Sequence, residues 1–210
     1  YWSVEIERGE GMKVFLFDIG NVLCDFTYEK FLNKYEEISG KRVGMDGLIE
    51  EELYHAVERG DISDQTYVDR MNQHYKTSWL VEDLKQAWQQ IFSANEVGRA
   101  LYFSAIEKKV PVYALSNIAK YHISAINQNW NNLLSSATGL FLSYEMGFRK
   151  PDPRIYKMVL HQLQVPAEDC FFIDDLAENI EAARKIGMQA HQFIPENYNV
   201  VKEQASAFFN

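Results

Sequence analysis

Cysteine is nearly missing from this chain, with only Cys24 and Cys170 among 210 residues. Two cysteines make no disulfide framework, and both fall in apolar runs that read as core. Buried free thiols in a reducing cytoplasm are the expectation, and with them a cytoplasmic location. No apolar run approaches the roughly 20 residues that a membrane-spanning helix needs, and no stretch has the layout of a secretory leader, so no membrane partner is expected. Positive charge is scarce: 21 lysine and arginine residues against 30 aspartate and glutamate leave a net charge of −9, which argues against nucleic acid as a partner. An anionic small molecule is not excluded, because a bound cation and a single lysine reverse the field locally. His55, His74, His122, His161 and His191 show no metal-ligand spacing and read as packing or surface residues. Internal repeats and low-complexity tracts are absent.

What is present is ordinary globular composition, 47% hydrophobic and 24% charged, in a length suited to one domain or one and a half. Residues 1–11 are polar and aperiodic and precede Met12. They are expected to be an appended or loose extension, with Met12 the natural start. Residues 13–18 read as a buried strand, in which Val14-Phe15-Leu16-Phe17 runs into Asp18, Ile19, Gly20 and Asn21. Residues 27–94 then change texture. Phe31, Leu32 and Tyr35 share one helical face, as do Leu48, Leu53, Ala56 and Val57. Glu58-Arg59-Gly60-Asp61-Ile62-Ser63 is a break, Ser63 precedes a helix carrying Tyr67, Met71 and Tyr75, and Trp79 to Phe92 makes a further helix. With no strand alternation there, the segment reads as a small inserted helical bundle.

From about Glu96 strands and helices alternate. Helices are expected over 96–108, 119–127, 153–163 and 176–186, with Pro153 in a first turn and Gly187 as a C-cap. Strands are expected over 110–115, 139–142, 170–173 and 189–193, and 127–136 as a polar loop. This is the pattern of an α/β fold, a doubly wound parallel sheet with right-handed crossovers, built from residues 12–26 and 95–200 around an inserted helical cap at 27–94.

Chemistry-bearing residues fall at successive strand ends, where ligands of open α/β sheets bind. Asp18 ends the first strand, and Ser116-Asn117 ends the second. Lys150 lies in the loop after the third, and Asp174-Asp175 ends the fourth, with Asn179 one turn on. Taken singly, each has a bland reading as a cap, a turn or a surface lysine. Taken in order, they suit phosphoryl transfer. A carboxylate can carry an aspartyl phosphate, clustered acids call for a hard divalent cation such as Mg²⁺, a hydroxyl and amides at a helix start hold phosphate oxygens, and a lysine neutralises them.

These four stretches, Phe17-Asp18-Ile19-Gly20-Asn21-Val22-Leu23, Leu115-Ser116-Asn117, Lys150-Pro151-Asp152-Pro153 and Phe172-Ile173-Asp174-Asp175 with Asn179, resemble the motifs of the haloacid dehalogenase (HAD) superfamily over roughly residues 12–195. The helical insert is similar to that family's C1 cap. The Gly-Asn-Val continuation and the segment 58–64 resemble the subgroup that includes bacterial α-D-glucose-1-phosphate phosphatases. The resemblance implies a Rossmann-like core and a Mg²⁺-dependent phosphatase of small phosphorylated metabolites, sugar phosphates such as glucose 1-phosphate among them. It implies Asp18 as nucleophile, and Asp18, the Gly20 carbonyl, Asp174 and Asp175 around the metal. It implies Ser116, Asn117 and Lys150 on the phosphoryl group.

One departure stands out. Phosphatases of this family usually carry a second aspartate two residues after the nucleophile, and here that position is Gly20. General acid–base help is worth roughly 10²–10⁴ in rate. Its loss implies slow turnover, a substitute such as Asp25, or a leaving group good enough unaided, such as an anomeric phosphate. Two alternatives therefore stay open: a hydrolytic 2-haloacid dehalogenase, which lacks the same aspartate but has no use for two acids at the fourth strand end, and a catalytically impaired scaffold. The sequence leaves monomer and homodimer equally open.

Overall fold

The computed structural model describes residues 12–41, 51–131 and 133–209. Leu48 and the segment 1–11 lie outside the described residues. Strands β1 (Val14–Phe17) and β2 (Cys24–Asp25) are followed by helices α1 (Tyr28–Ser39), α2 (Glu51–Glu58), α3 (Asp64–Tyr75) and α4 (Val81–Ile91), and then by β3 (Ser93–Ala94). The alternating part comprises α5 (Glu96–Glu107), β4 (Val112–Ser116), α6 (Lys120–Asn129), β5 (Gly139–Leu142), α7 (Ser143–Met146), α8 (Pro153–Leu163), β6 (Cys170–Asp174), α9 (Ala177–Ile186), β7 (Gln189–Gln192) and α10 (Tyr198–Phe209).

Five strands form one parallel sheet in the order β5-β4-β1-β6-β7, so the first strand lies at its centre. Side chains of a strand alternate between faces, and β1 divides accordingly. Phe15 and Phe17 pack with Val112, Ala114, Phe171 and Ile173 against Tyr102 of α5 and Val201, Ala205 and Phe208 of α10. Val14 and Leu16 pack with Leu115 and Phe172 against Ile155, Tyr156 and Val159 of α8 and Ile180 and Ala183 of α9. Helices thus cover both faces, as a doubly wound sheet requires. All four β1 residues are fully buried, which is why the strand reads as an unbroken apolar run.

Helix starts follow their local chemistry. Thr27 caps α1 through the Lys30 N–H at 3.2 Å, Ser63 caps α3 through the Thr66 N–H at 3.1 Å, and Asp152 caps α8 through the Arg154 N–H at 2.9 Å, ahead of Pro153 in the first turn. Each supplies an acceptor to an otherwise unpaired amide.

Four features differ from the sequence expectation. Ser93–Ala94 pairs antiparallel with Cys24–Asp25, a two-residue ribbon at the base of the insert that is too short to leave an alternation in the sequence. Helix α6 continues to Asn129, and the supposed polar loop after it puts Leu133 and Leu134 into the core. Helix α10 extends the core past residue 200, carrying Val201, Ala205 and Phe208 at helical spacing. Asp25, the candidate substitute acid, accepts from Asn95 Nδ2 at 2.8 Å just past that ribbon, a tie across the junction that nothing in its local sequence announces.

Helices α1 to α4 share a separate aromatic cluster that includes Phe31, Tyr35, Tyr67, Trp79 and Trp88. Helix α6 joins both clusters: Ile126 faces the sheet, while Ala119, Tyr121 and Ala125 face the insert. Cys24 and Cys170 are buried and unpaired. Among the described residues, no helix is long and apolar enough to cross a membrane.

Candidate active site

Register brings the acids together. Phe17 of β1 pairs with Ile173 of β6, and the ladder runs one residue further, with the Asp18 N–H donating to the Ile173 carbonyl at 2.9 Å. The next residues on these neighbouring strands, Asp18 and Asp174, therefore stand side by side at the sheet's carboxyl edge. Asp175 follows, and one oxygen from each of Asp18, Asp174 and Asp175 lies within 4.8 Å of the others.

A single lysine sits among them. Lys150 Nζ lies 3.1 Å from Asp18 Oδ1 and 2.6 Å from Asp174 Oδ2, and it also donates to the Leu115 carbonyl at 2.7 Å. It is 1% exposed, far from the solvated surface lysine of the bland reading. Burial alone favours the neutral amine, but Asp174 and Asp18 more than offset it, and the ammonium is held above its ordinary range. Asp18 is pushed the other way. Burial first, then the charges of Asp174 and Asp175, raise its carboxyl to about 7 against the pull of Lys150 and a hydrogen bond from Ser116. Asp175 is raised as well, mainly by burial and by Asp174. One ammonium does not balance three acids in so dry a place.

The acids differ in what they have left to offer. Asp174 is satisfied by protein: Oδ1 accepts from the Leu176 N–H at 2.9 Å, and Asn179 Nδ2 reaches Oδ1 at 2.9 Å and Oδ2 at 3.0 Å. Asp175 is only partly buried and accepts from Asn21 Nδ2 at 2.9 Å on Oδ2 and from its own backbone N–H. Asn21 adopts the left-handed conformation at φ 51°, which asparagine tolerates. Sequence reading attached no role to it beyond the strand break, although Gly-Asn after a strand is a turn signal.

Ser116 is 2% exposed and ends β4 beside Asp18. Asn117 is clamped to the lysine loop: its Nδ2 donates to the Lys150 carbonyl at 2.8 Å, and its Oδ1 accepts the Lys150 N–H at 2.7 Å. Its side chain positions Lys150, which leaves its backbone N–H as the group it can offer an anion. Gly20 lies in the turn after Asp18. A Cβ there would stand 3.0 Å from Phe26 Cε1, so an aromatic ring fills the space in which the usual second aspartate would begin.

The acid cluster fits a hard divalent cation. Its donors are all oxygens, their charge exceeds what Lys150 neutralises, and Asn179 Oδ1 beside them is buried without a hydrogen-bond partner among the described residues.

Comparison with known proteins identifies the family. A family profile described as haloacid dehalogenase-like hydrolase matches residues 12–187. The chain is 23% identical to a D-ribitol-5-phosphate phosphatase of Bacteroides thetaiotaomicron over 206 residues, covering 95% of this chain and 99% of that one. It is 26% identical to a sesquiterpene phosphatase of Aspergillus oryzae over 182 residues, covering 84% and 87%. A HAD family enzyme from Bacteroides thetaiotaomicron, crystallised with magnesium and inorganic phosphate, shares the fold with a TM-score of 0.77 at 23% identity, covering 86% of this chain and 93% of that one. With the profile spanning most of the sequence and the acids and lysine gathered at the tips of the central strands, the chain belongs to the haloacid dehalogenase-like hydrolases.

Proposed function

We propose that this protein is a Mg²⁺-dependent phosphatase of small phosphorylated metabolites, with sugar and sugar-alcohol phosphates as its substrate class. The observation that carries the reading is the buried set of Asp18, Asp174 and Asp175 around Lys150. Relatives named as phosphatases support it.

Asp18, the Gly20 carbonyl and Asp175 would hold Mg²⁺, with Asp174 acting through its fixed neighbours. When bound, the ion offsets the negative charge gathered as one anion approaches another, and it favours the ionised form of Asp18. The Ile19 N–H at 2.7 Å and Lys150 both hold Asp18 Oδ1, which orients the carboxylate. Asp18 attacks phosphorus while the bond to the leaving oxygen breaks, giving an aspartyl phosphate and an alkoxide that takes its proton from solvent water. Water then cleaves the acyl phosphate and restores the carboxylate. Ser116, the Asn117 amide and Lys150 bind the transferring group, and Lys150 neutralises charge that builds on it.

Gly20 supplies no proton to the leaving oxygen. A less basic leaving group, such as the anomeric oxygen of glucose 1-phosphate, relaxes that demand. The ribitol 5-phosphate relative calls for an ordinary alkoxide. Both therefore belong on a test panel with p-nitrophenyl phosphate, each assayed with Mg²⁺ and with EDTA, for wild type and Asp18→Asn. Phosphate release that needs both Mg²⁺ and Asp18 is expected. Metal-independent chloride release from 2-chloropropionate would replace the reading with a dehalogenase, and inertness toward the whole panel would leave a scaffold.

A further inference from the structure

Among the described residues, the buried carboxylate outside the acid cluster is Glu58, the last residue of α2, and at 3% exposure it is as hidden as a core side chain. Burying a carboxylate is unfavourable unless it is paired. Glu58 Oε2 takes its partner across the gap between insert and core, from Arg149 Nε at 2.6 Å. The backbone of the same residue is fastened too. The fully buried Ser143 donates its hydroxyl to the Glu58 carbonyl at 2.5 Å and accepts the Ile118 N–H at 2.9 Å. Two residues on, Gly60 lies so close to the core that a Cβ would stand 2.2 Å from the Tyr144 carbonyl oxygen, with φ at +73°. Only glycine permits that approach.

The two core residues reached from Glu58 are not arbitrary. Arg149 immediately precedes Lys150, and Ile118 immediately follows Asn117. Lys150 and Asn117 are themselves joined by two hydrogen bonds, at 2.7 and 2.8 Å. The contacts therefore close a ring: Glu58 carboxylate, Arg149, Lys150, Asn117, Ile118, Ser143, and back to the Glu58 carbonyl. We infer that Glu58 is a positioning residue, through which the seated insert sets the Lys150 and Ser116–Asn117 loops in register for phosphoryl transfer.

A closed ring constrains each member from two sides. Unfastening one link frees both active-site loops, and this holds whatever the leaving group is. The inference rests on the phosphatase reading. It adds that the insert influences the chemical step itself, beyond any choice of substrate. Glu58 touches none of the reacting atoms in this account; it acts through Arg149 and Ser143.

The test uses p-nitrophenyl phosphate, Mg²⁺ and the whole chain. Glu58→Gln and Ser143→Ala cut different links of the ring. Each is expected to lower kcat by roughly 10- to 100-fold, the usual scale for small misplacements of catalytic groups, with KM for this substrate changed far less. Inorganic phosphate should inhibit both variants more weakly than wild type. Arg149→Lys, which keeps a cation opposite Glu58, should retain more kcat than Arg149→Met. Met71→Ala, inside the insert and off the ring, should lower the thermal midpoint while leaving kcat near wild type. The inference is overturned if Glu58→Gln and Ser143→Ala keep wild-type kcat, if their losses appear only in KM, or if Met71→Ala loses as much kcat as they do. Should Glu58→Gln not fold, Ser143→Ala decides. If the wild type releases phosphate from no ester, the phosphatase reading falls and takes this inference with it. If the wild type is active and the ring variants match it, only the inference falls.

Discussion

The sheet and the helical insert are built on opposite plans. Around the sheet, a few charged groups sit at the ends of buried strands, and the apolar residues beneath them serve to hold those ends level. In the insert, the interior is a web of rings: Phe31 stacks on Trp88 at 4.9 Å and Tyr35 on Trp79 at 4.7 Å. Of its hydroxyl groups, that of Tyr28 feels the charge of Asp175 without joining the acid cluster. Register fixes the positions of strand-end acids to within one residue. Aromatic packing tolerates many arrangements of similar volume. On the proposed reading, chemistry resides at the strand tips, and the insert is the part that would distinguish substrates.

This contrast is sharpest at Asp18. Asp18→Asn removes the proposed nucleophile and should lower kcat by about 10⁴-fold or more, the scale seen when a nucleophile is deleted, read as phosphate release at saturating p-nitrophenyl phosphate. Its thermal midpoint should hold or rise, because one of three crowded acids is gone. A variant with near wild-type turnover would break the assignment.

Lys150→Met is next. Removing the one cation seen at the cluster among the described residues leaves buried acids uncompensated, with an expected loss of about 3–5 kcal/mol in unfolding free energy near pH 8. The loss should shrink near pH 5, where Asp18 holds a proton. Urea unfolding at the two pH values tests this, and a pH-independent loss would show that Lys150 does not neutralise the cluster.

A smaller effect follows from Asp18 itself. Its carboxyl titrates near 7 in the fold, against about 4 in an unfolded chain. Between those values the folded state keeps a proton that the unfolded state has released, so metal-free stability should fall as pH rises from about 4 to 7 and level off above. Mg²⁺ should raise the thermal midpoint more at pH 8 than at pH 5. Equal stabilisation at both would argue that the ion does not bind Asp18.

The smallest change is expected from the insert's hydroxyls. Tyr28→Phe, at a half-exposed residue that feels the charge of Asp175, should shift KM several-fold among sugar and sugar-alcohol phosphates, on the scale of one hydrogen bond of about 1 kcal/mol, and leave p-nitrophenyl phosphate turnover near wild type. Equal effects on every substrate would erase the distinction between the two regions at that residue.

Much of the site was legible because each member ends an apolar run or opens a helix. Asp18 after Val-Phe-Leu-Phe and Asp174-Asp175 after Phe-Phe-Ile announce themselves by local pattern. The pairing of Glu58 with Arg149 does not, since the two are 91 positions apart in sequence; Glu58 stood out only as part of the 58–64 segment, and Arg149 only as the neighbour of Lys150. Ser143 gave no signal, being one serine after a short strand. Helix α10 did carry one, with Val201, Ala205 and Phe208 at helical spacing, but its apolar face is short and follows the last strand of the expected fold.

Alternation of buried strands with helices, and acids placed at strand ends, are properties of neighbouring residues, so the order of letters alone determined the α/β class and the chemistry-bearing positions. Which strands lie side by side, which side chain fills the space beside Gly20, and how Glu58 reaches the loops of Lys150 and Asn117 depend on contacts between distant segments. Those were decided only when the chain closed on itself, because burial and pairing are set by what the rest of the fold brings near.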